Sequence, residues 1–193
     1  MLKESMVNLM QEIKQGAKAN MSGHILEKTI IPMMQGYGYK VVIHSETKKH
    51  PELLDENKIV FTNVPFTSIY NHIGKTEYVI INTSKGKKIR VEAKNQQSAG
   101  SVDEKFPNLF LNAIYSYPED EIILLIEGKG WKVGALNWIN KAVDEYNKNY
   151  DIYGEALKVL KPMLAPNQPE PQKKKIHVMN LSEFLAYFTK ELI

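Results

Sequence analysis

The residues best suited to chemistry lie on one short extended run, Ile89-Arg90-Val91-Glu92-Ala93-Lys94, and on the run before it, which begins at Glu77. Side chains alternate between faces along an extended chain, so Ile89, Val91 and Ala93 point one way and Arg90, Glu92 and Lys94 the other. The two runs, 77–82 and 88–94, flank Thr83-Ser84-Lys85-Gly86 and read as an antiparallel hairpin. A two-residue loop at Ser84-Lys85 sets Glu77 opposite Glu92, whereas a loop at Lys85-Gly86 sets it opposite Lys94. Either register gathers all three groups. Opposed residues have Cβ atoms about 4.5–5.5 Å apart, close enough for two carboxylates to share one divalent cation. Without a cation the carboxylates repel each other and only Lys94 offsets them.

A lone Glu-x-Lys on a strand is more often a solvated sheet face than a site, so its context has to carry the reading. Other motifs carry less. Gly128-Lys129-Gly130 with Gly134 lacks both Gly-Lys-Ser/Thr and the spacing of a dinucleotide loop, and reads as a turn. The five histidines, at 24, 44, 50, 72 and 177, show no zinc-hydrolase spacing. Ser22 lacks a nucleophile elbow and reads as a helix cap. Trp138 reads as packed on its helix, while Trp131 is left open between packing and base stacking. The lysines at 85–88 suit a solubilising hairpin tip, and those at 173–175 a solvated linker.

The elements that must position the hairpin follow from periodicity. Helices are expected over 4–15 and, after a Ser22 cap, over 24–34, with apolar residues recurring at three and four. A strand is expected at 39–44, then a polar surface excursion, then a β-rich stretch at 59–66 whose Pro65 argues for an edge or a loop entry. A helix follows over 102–115, with Pro107 forced into its first turn or delaying its start. A buried strand at 121–127, a helix at 134–146, a proline-punctuated linker from Pro162 to Lys175, a strand at 176–179 and a final helix capped by Asn180 or Ser182 complete the chain. The alternation is mixed α/β.

The chain has 193 residues, 43% hydrophobic and 24% charged, which suits one well-cored domain over 1–193 and excludes a disordered or membrane-spanning chain. The longest purely apolar stretch, Ile122 to Ile126, is far short of a span, and the N-terminus lacks a signal-peptide core. A cytoplasmic protein is the expectation. Cysteine is absent, which excludes disulfides, thiolate zinc and cysteine nucleophiles and favours oxygen-liganded ions. A net charge of +3 permits an anionic partner without demanding one.

With these residues in view, the chain resembles the PD-(D/E)XK nuclease superfamily, the restriction-endonuclease-like fold. Glu92-Ala93-Lys94 resembles the family's E-x-K on the second hairpin strand, and Glu77 holds the place of the acidic residue on the preceding strand. Thr76-Glu77 stands where the motif has Pro-Asp, so that half is not matched literally. Ser22-Gly23-His24-Ile25-Leu26-Glu27 puts Glu27 where the family's first helix carries a supporting acid, and Gln96-Gln97 with Ser98 to Lys105 resembles the loop and helix start of restriction and phage relatives. The likeness runs from about Ser22 to Trp138, giving a core at about 22–140 and a C-terminal strand-helix extension at about 172–193. It implies an α/β fold with a central mixed β-sheet flanked by helices. It implies a Mg²⁺-dependent DNA endonuclease of restriction or phage type, with Mn²⁺ as substitute. Metal ligands would be Glu77, Glu92 and the backbone carbonyl of Ala93, with Glu27 in support. Lys94 would position or activate water, and Gln96, which continues the Glu92 and Lys94 face, would orient substrate or the lysine. Lys85, Lys87, Lys88, Arg90 and Gln97 would meet the phosphate backbone of DNA. A homodimer suits two cuts on a duplex. The rival is a catalytically silent nucleic-acid-binding or assembly module with the same fold.

Overall fold

The computed structural model describes residues 26–98 and 104–193. The expected helix over 4–15, the Ser22 cap and most of the loop after Gln97 therefore lie outside the described residues. Six strands form one mixed sheet in the order β1 (Lys40–Ile43), β2 (Lys58–Thr67), β3 (Ile73–Asn82), β4 (Lys87–Asn95), β5 (Glu121–Glu127) and β6 (Lys175–Met179). β2, β3 and β4 are antiparallel neighbours, while β1 joins β2, and β5 and β6 follow β4, in parallel. Among the described residues five helices flank this sheet: α1 (26–36), α2 (Phe106–Tyr115), α3 (Val133–Lys148), α4 (Tyr150–Leu164) and α5 (Leu181–Leu192).

The period-two pattern sorts the sheet into two unlike faces. On one, Tyr78, Ile80, Ile89, Val91, Ile123 and Leu125 pack against Leu26, Ile30 and Met34 of α1 and Phe184, Phe188 and Leu192 of α5. The other is split. Ile122, Leu124 and Ile126 of β5 pack under α2 and α3, and Ile59, Phe61, Val64 and Val79 pack under Leu53. Between these two apolar clusters runs β4, whose residues on this face are Arg90, Glu92 and Lys94. Its hairpin turn is closed by Gly86 at φ 60° and by Asn82, whose carbonyl oxygen accepts from Ser84 and Lys85 while its amide donates to Tyr39 Oη and the Leu192 carbonyl.

Several expectations hold closely. β5 has the expected bounds, Pro107 stands in the first turn of α2, and Asn180 with Glu183 forms a capping box on α5. Pro65 is tolerated because β1 covers β2 only as far as Thr62, so the missing donor faces an unpaired edge. Others are corrected. The polar excursion holds two 3₁₀ turns, His44–Lys48 and Pro51–Asp55. α4 occupies part of the stretch read as a linker, and Pro162 sits in its last turn, where the one lost bond, back to the carbonyl of Lys158, disturbs only the end of the helix. Lys174 is not solvated: it is buried, its ammonium donates to the Tyr117 carbonyl, and burial pulls it down to about 8. Trp138 is substantially exposed and touches Phe110 edge-on, whereas Trp131 is buried and stacked on Phe106. The strand and helix expected at the C-terminus are present, β6 adding to the sheet edge and α5 packing on one of its faces.

Candidate active site

The hairpin register is the one that sets Glu77 against Glu92: the ladder pairs Tyr78 with Val91, and one step further would pair the two glutamates. The ladder stops there instead. On its other side β3 pairs Tyr78 with Thr62 and Thr76 with Val64 but skips Glu77, whose opposite residue, Asn63, takes a left-handed φ of 54°. Glu77 thus sits where β3 leaves β4 and where its pairing with β2 is interrupted for one residue. Its side chain supplies an acceptor that the backbone no longer gives, Oε2 taking the Ala93 N–H at 2.7 Å.

Lys94 closes the cluster. Its ammonium lies 2.5 Å from Glu92 Oε1, 3.3 Å from Glu77 Oε1 and 3.3 Å from the Ala93 carbonyl oxygen. Two carboxylates share one cation, so the fully ionised cluster carries one net negative charge. The Glu92 side chain is 7% exposed, against 32% for Glu77 and 28% for Lys94, so the cluster has a buried floor and a half-open mouth. Glu92 Oε2 is buried and has no hydrogen-bond partner of normal geometry among the described residues, although the Tyr117 hydroxyl acts on this carboxylate. Burial, and then the Glu77 charge, push the Glu92 carboxyl up to about 7 despite Lys94. Burial works against the Lys94 ammonium, but Glu92 and Glu77 outweigh it and hold the group cationic beyond its ordinary range.

A buried carboxylate oxygen without a donor fits a cation ligand, because leaving it bare in a dry site costs free energy that a bound ion recovers. No group of three or more His, Asp or Glu able to hold a metal occurs among the described residues. The protein's share would then be Glu77, Glu92 and the Ala93 carbonyl, leaving positions for water and phosphate, as suits Mg²⁺. Glu27 is placed elsewhere. It is exposed on α1, which packs on the opposite face, and its charge acts with that of Glu77 on Tyr78.

Other expected site residues separate into buried and accessible ones. Arg90 is no phosphate contact: it is buried, with Nε 2.5 Å and Nη2 3.2 Å from the two oxygens of buried Glu119, Nη1 2.9 Å from Thr76 Oγ1, and its guanidinium 5.3 Å from the centre of the Tyr117 ring. Lys87 is engaged by Glu121 at 2.8 Å and Glu191 at 3.7 Å. Lys85, Lys88 and Gln97 stay exposed, but Lys88 is six residues along β4 from Lys94, roughly 20 Å. Gln96 continues the strand without joining the cluster by any hydrogen bond: its amide donates to the Gly130 carbonyl at 2.8 Å and its backbone is held by Glu127 and Gly130. That clamp needs its glycines. A Cβ at Gly128, where φ is 105°, would strike the Gln96 carbonyl, and one at Gly130 would strike that of Ser98.

Sequence reasoning missed Tyr117, Glu119 and Lys75. Tyr117 is buried between Arg90 and Phe66, and burial and then the Glu92 charge drive its hydroxyl well above its ordinary range. Nothing in Tyr117-Pro118-Glu119 signals that it backs a strand thirty residues away. Lys75 was legible in principle, since it is exposed two residues before Glu77 on the same strand face.

A family model described as a PD-(D/E)XK nuclease superfamily domain matches residues 18–192, beyond both ends of the stretch the motifs delimit. No curated protein and no solved structure matches the chain. No described helix is long and apolar enough to cross a membrane.

Proposed function

Because the chain belongs to the PD-(D/E)XK nuclease superfamily, we propose that it is a Mg²⁺-dependent DNA endonuclease of the restriction or phage type, cutting at the Glu77, Glu92 and Lys94 cluster. The observation that carries this reading is the pairing of an unpartnered, buried Glu92 oxygen with an accessible lysine at the point where β3 leaves the ladder. Glu77, Glu92 and the Ala93 carbonyl would hold the cation, which when bound supplies Lewis acidity to the phosphate and lowers the pKa of water. Lys94 stays an ammonium at neutral pH, so its part is to place positive charge where the phosphate gains negative charge, rather than to take a proton. The dry floor around Glu92 strengthens each of these interactions. Lys75, Lys85, Lys88 and Gln97 are the accessible groups left to meet DNA phosphates.

The test is supercoiled plasmid incubated with Mg²⁺, Mn²⁺ or Ca²⁺. Cleavage in the first two and binding alone in Ca²⁺ is the expected result. Salt-sensitive binding without cleavage in every metal would make the chain a silent nucleic-acid-binding module. Calorimetry adds the ligand check: a Glu77→Ala, Glu92→Ala double variant is expected to lose Mn²⁺ binding, and unchanged affinity would remove those two residues from the ligand set.

A further inference from the structure

α4 has two apolar faces, and only one is buried. Tyr150, Leu157 and Leu164 turn inward onto the cluster under α2 and α3. On the outside Ile152, Ala156, Val159 and Met163 recur at spacings of four, three and four, the pattern of a continuous helical stripe. Ile152 is 73%, Val159 78% and Met163 80% exposed, with Tyr153 and Leu160 at one border of the stripe also exposed. Together these side chains leave on the order of 500 Å² of apolar surface, the size of patch that on a monomer is commonly functional.

We infer that this stripe is the self-association surface of the protein, its occupant the same helix of a second copy in antiparallel, two-fold arrangement. The pattern is self-complementary. Setting Ile152 against the partner's Met163 sets Ala156 against the partner's Val159, a small residue against a branched one. The same register brings Tyr153 beside the partner's Leu160. An antiparallel pair places like borders together, so the Tyr153 and Leu160 border meets itself, while the opposite border is neutralised within the chain, where Lys158 lies 2.6 Å from Glu155. A parallel pair would instead set that apolar border against the charged one. The two helix dipoles also oppose. Two such patches bury about 1,000 Å², the lower bound for a specific interface. The inference does not draw on the chemistry at Glu77.

Sedimentation equilibrium of the full chain is expected to show a reversible monomer–dimer equilibrium in the micromolar range. Val159→Glu should weaken it by about tenfold or more. The chain has no cysteine, so Ala156→Cys introduces one thiol per copy close to the two-fold axis and should oxidise to a linked dimer, while Asp151→Cys, far from that axis, should not. Circular dichroism confirms that each variant is folded. A wild-type chain that is monomeric throughout, a dimer indifferent to Val159→Glu, or a thiol at 151 that links as readily as one at 156 would each overturn the inference.

Discussion

Two carboxylate–cation clusters stand side by side on one face of β4, and they differ in closure. Arg90 and Glu119 form a forked, buried pair, further satisfied by Thr76 and the Tyr117 ring, with the Lys88 ammonium at its rim 3.6 Å from Glu119, so base is in excess there. Two to four residues further along the strand, Glu92 and Lys94 join Glu77 of β3 as two acids to one base, with a mouth toward solvent and one oxygen unmatched. The first has nothing left to bind with. The second has a ligand position to spare. Alternating charges on a strand therefore say little by themselves; the count of donors against acceptors, and the exposure of the last member, separate a structural pair from a reactive one.

Substitutions can sharpen or break that contrast. The largest effect is expected at Lys94: Lys94→Ala should lower the rate of Mg²⁺-dependent plasmid cleavage roughly a thousandfold. Mn²⁺ binding should survive, because the ammonium now competes for the same oxygens. Equal cleavage would show the open cluster to be as inert as the closed one. Next, Glu119→Gln strips Arg90 of its charge partner inside the fold and should cost about 3–5 kcal/mol in urea denaturation. A combined Arg90→Met, Glu119→Leu chain should recover most of that, since the closed pair serves packing and not chemistry.

A smaller effect is expected from pH. Burial raises the Glu92 carboxyl above its unfolded value of 4.5, so its stabilising contribution in the metal-free protein is complete below that value and is lost as pH rises through about 7. A cation needs the carboxylate, so Mn²⁺ affinity followed by calorimetry should rise by up to about tenfold per pH unit below 7 and then level. A flat profile would mean that Glu92 is already ionised in the free protein. Smallest of all, Lys88→Ala removes an exposed ammonium 3.6 Å from Glu119 and should move stability by no more than about 0.5 kcal/mol.

The hairpin and its charged face were legible because a Gly-containing turn and strict alternation constrain both register and direction. β5 and α5 were legible for a similar reason, one as an unbroken apolar run and the other through Asn180 and Glu183. The fate of Arg90 was not. Its partner Glu119 comes from the segment leading into β5 and meets it only because β5 lies parallel beside β4. α4 escaped notice because half of its apolar residues face outward and Pro162 resembles a stop. Gln96 illustrates the limit of extrapolating a strand: period two placed it beside Lys94, but the loop at Gly128 and Gly130 captures its amide and its backbone.

The bond from the Ala93 amide to Glu77 makes the backbone a listener. An ion drawing electron density from that carboxylate weakens its hold on the N–H, so occupancy is written into a single amide proton resonance on β4. Ligand traffic at the mouth can be followed there without label, substrate or turnover.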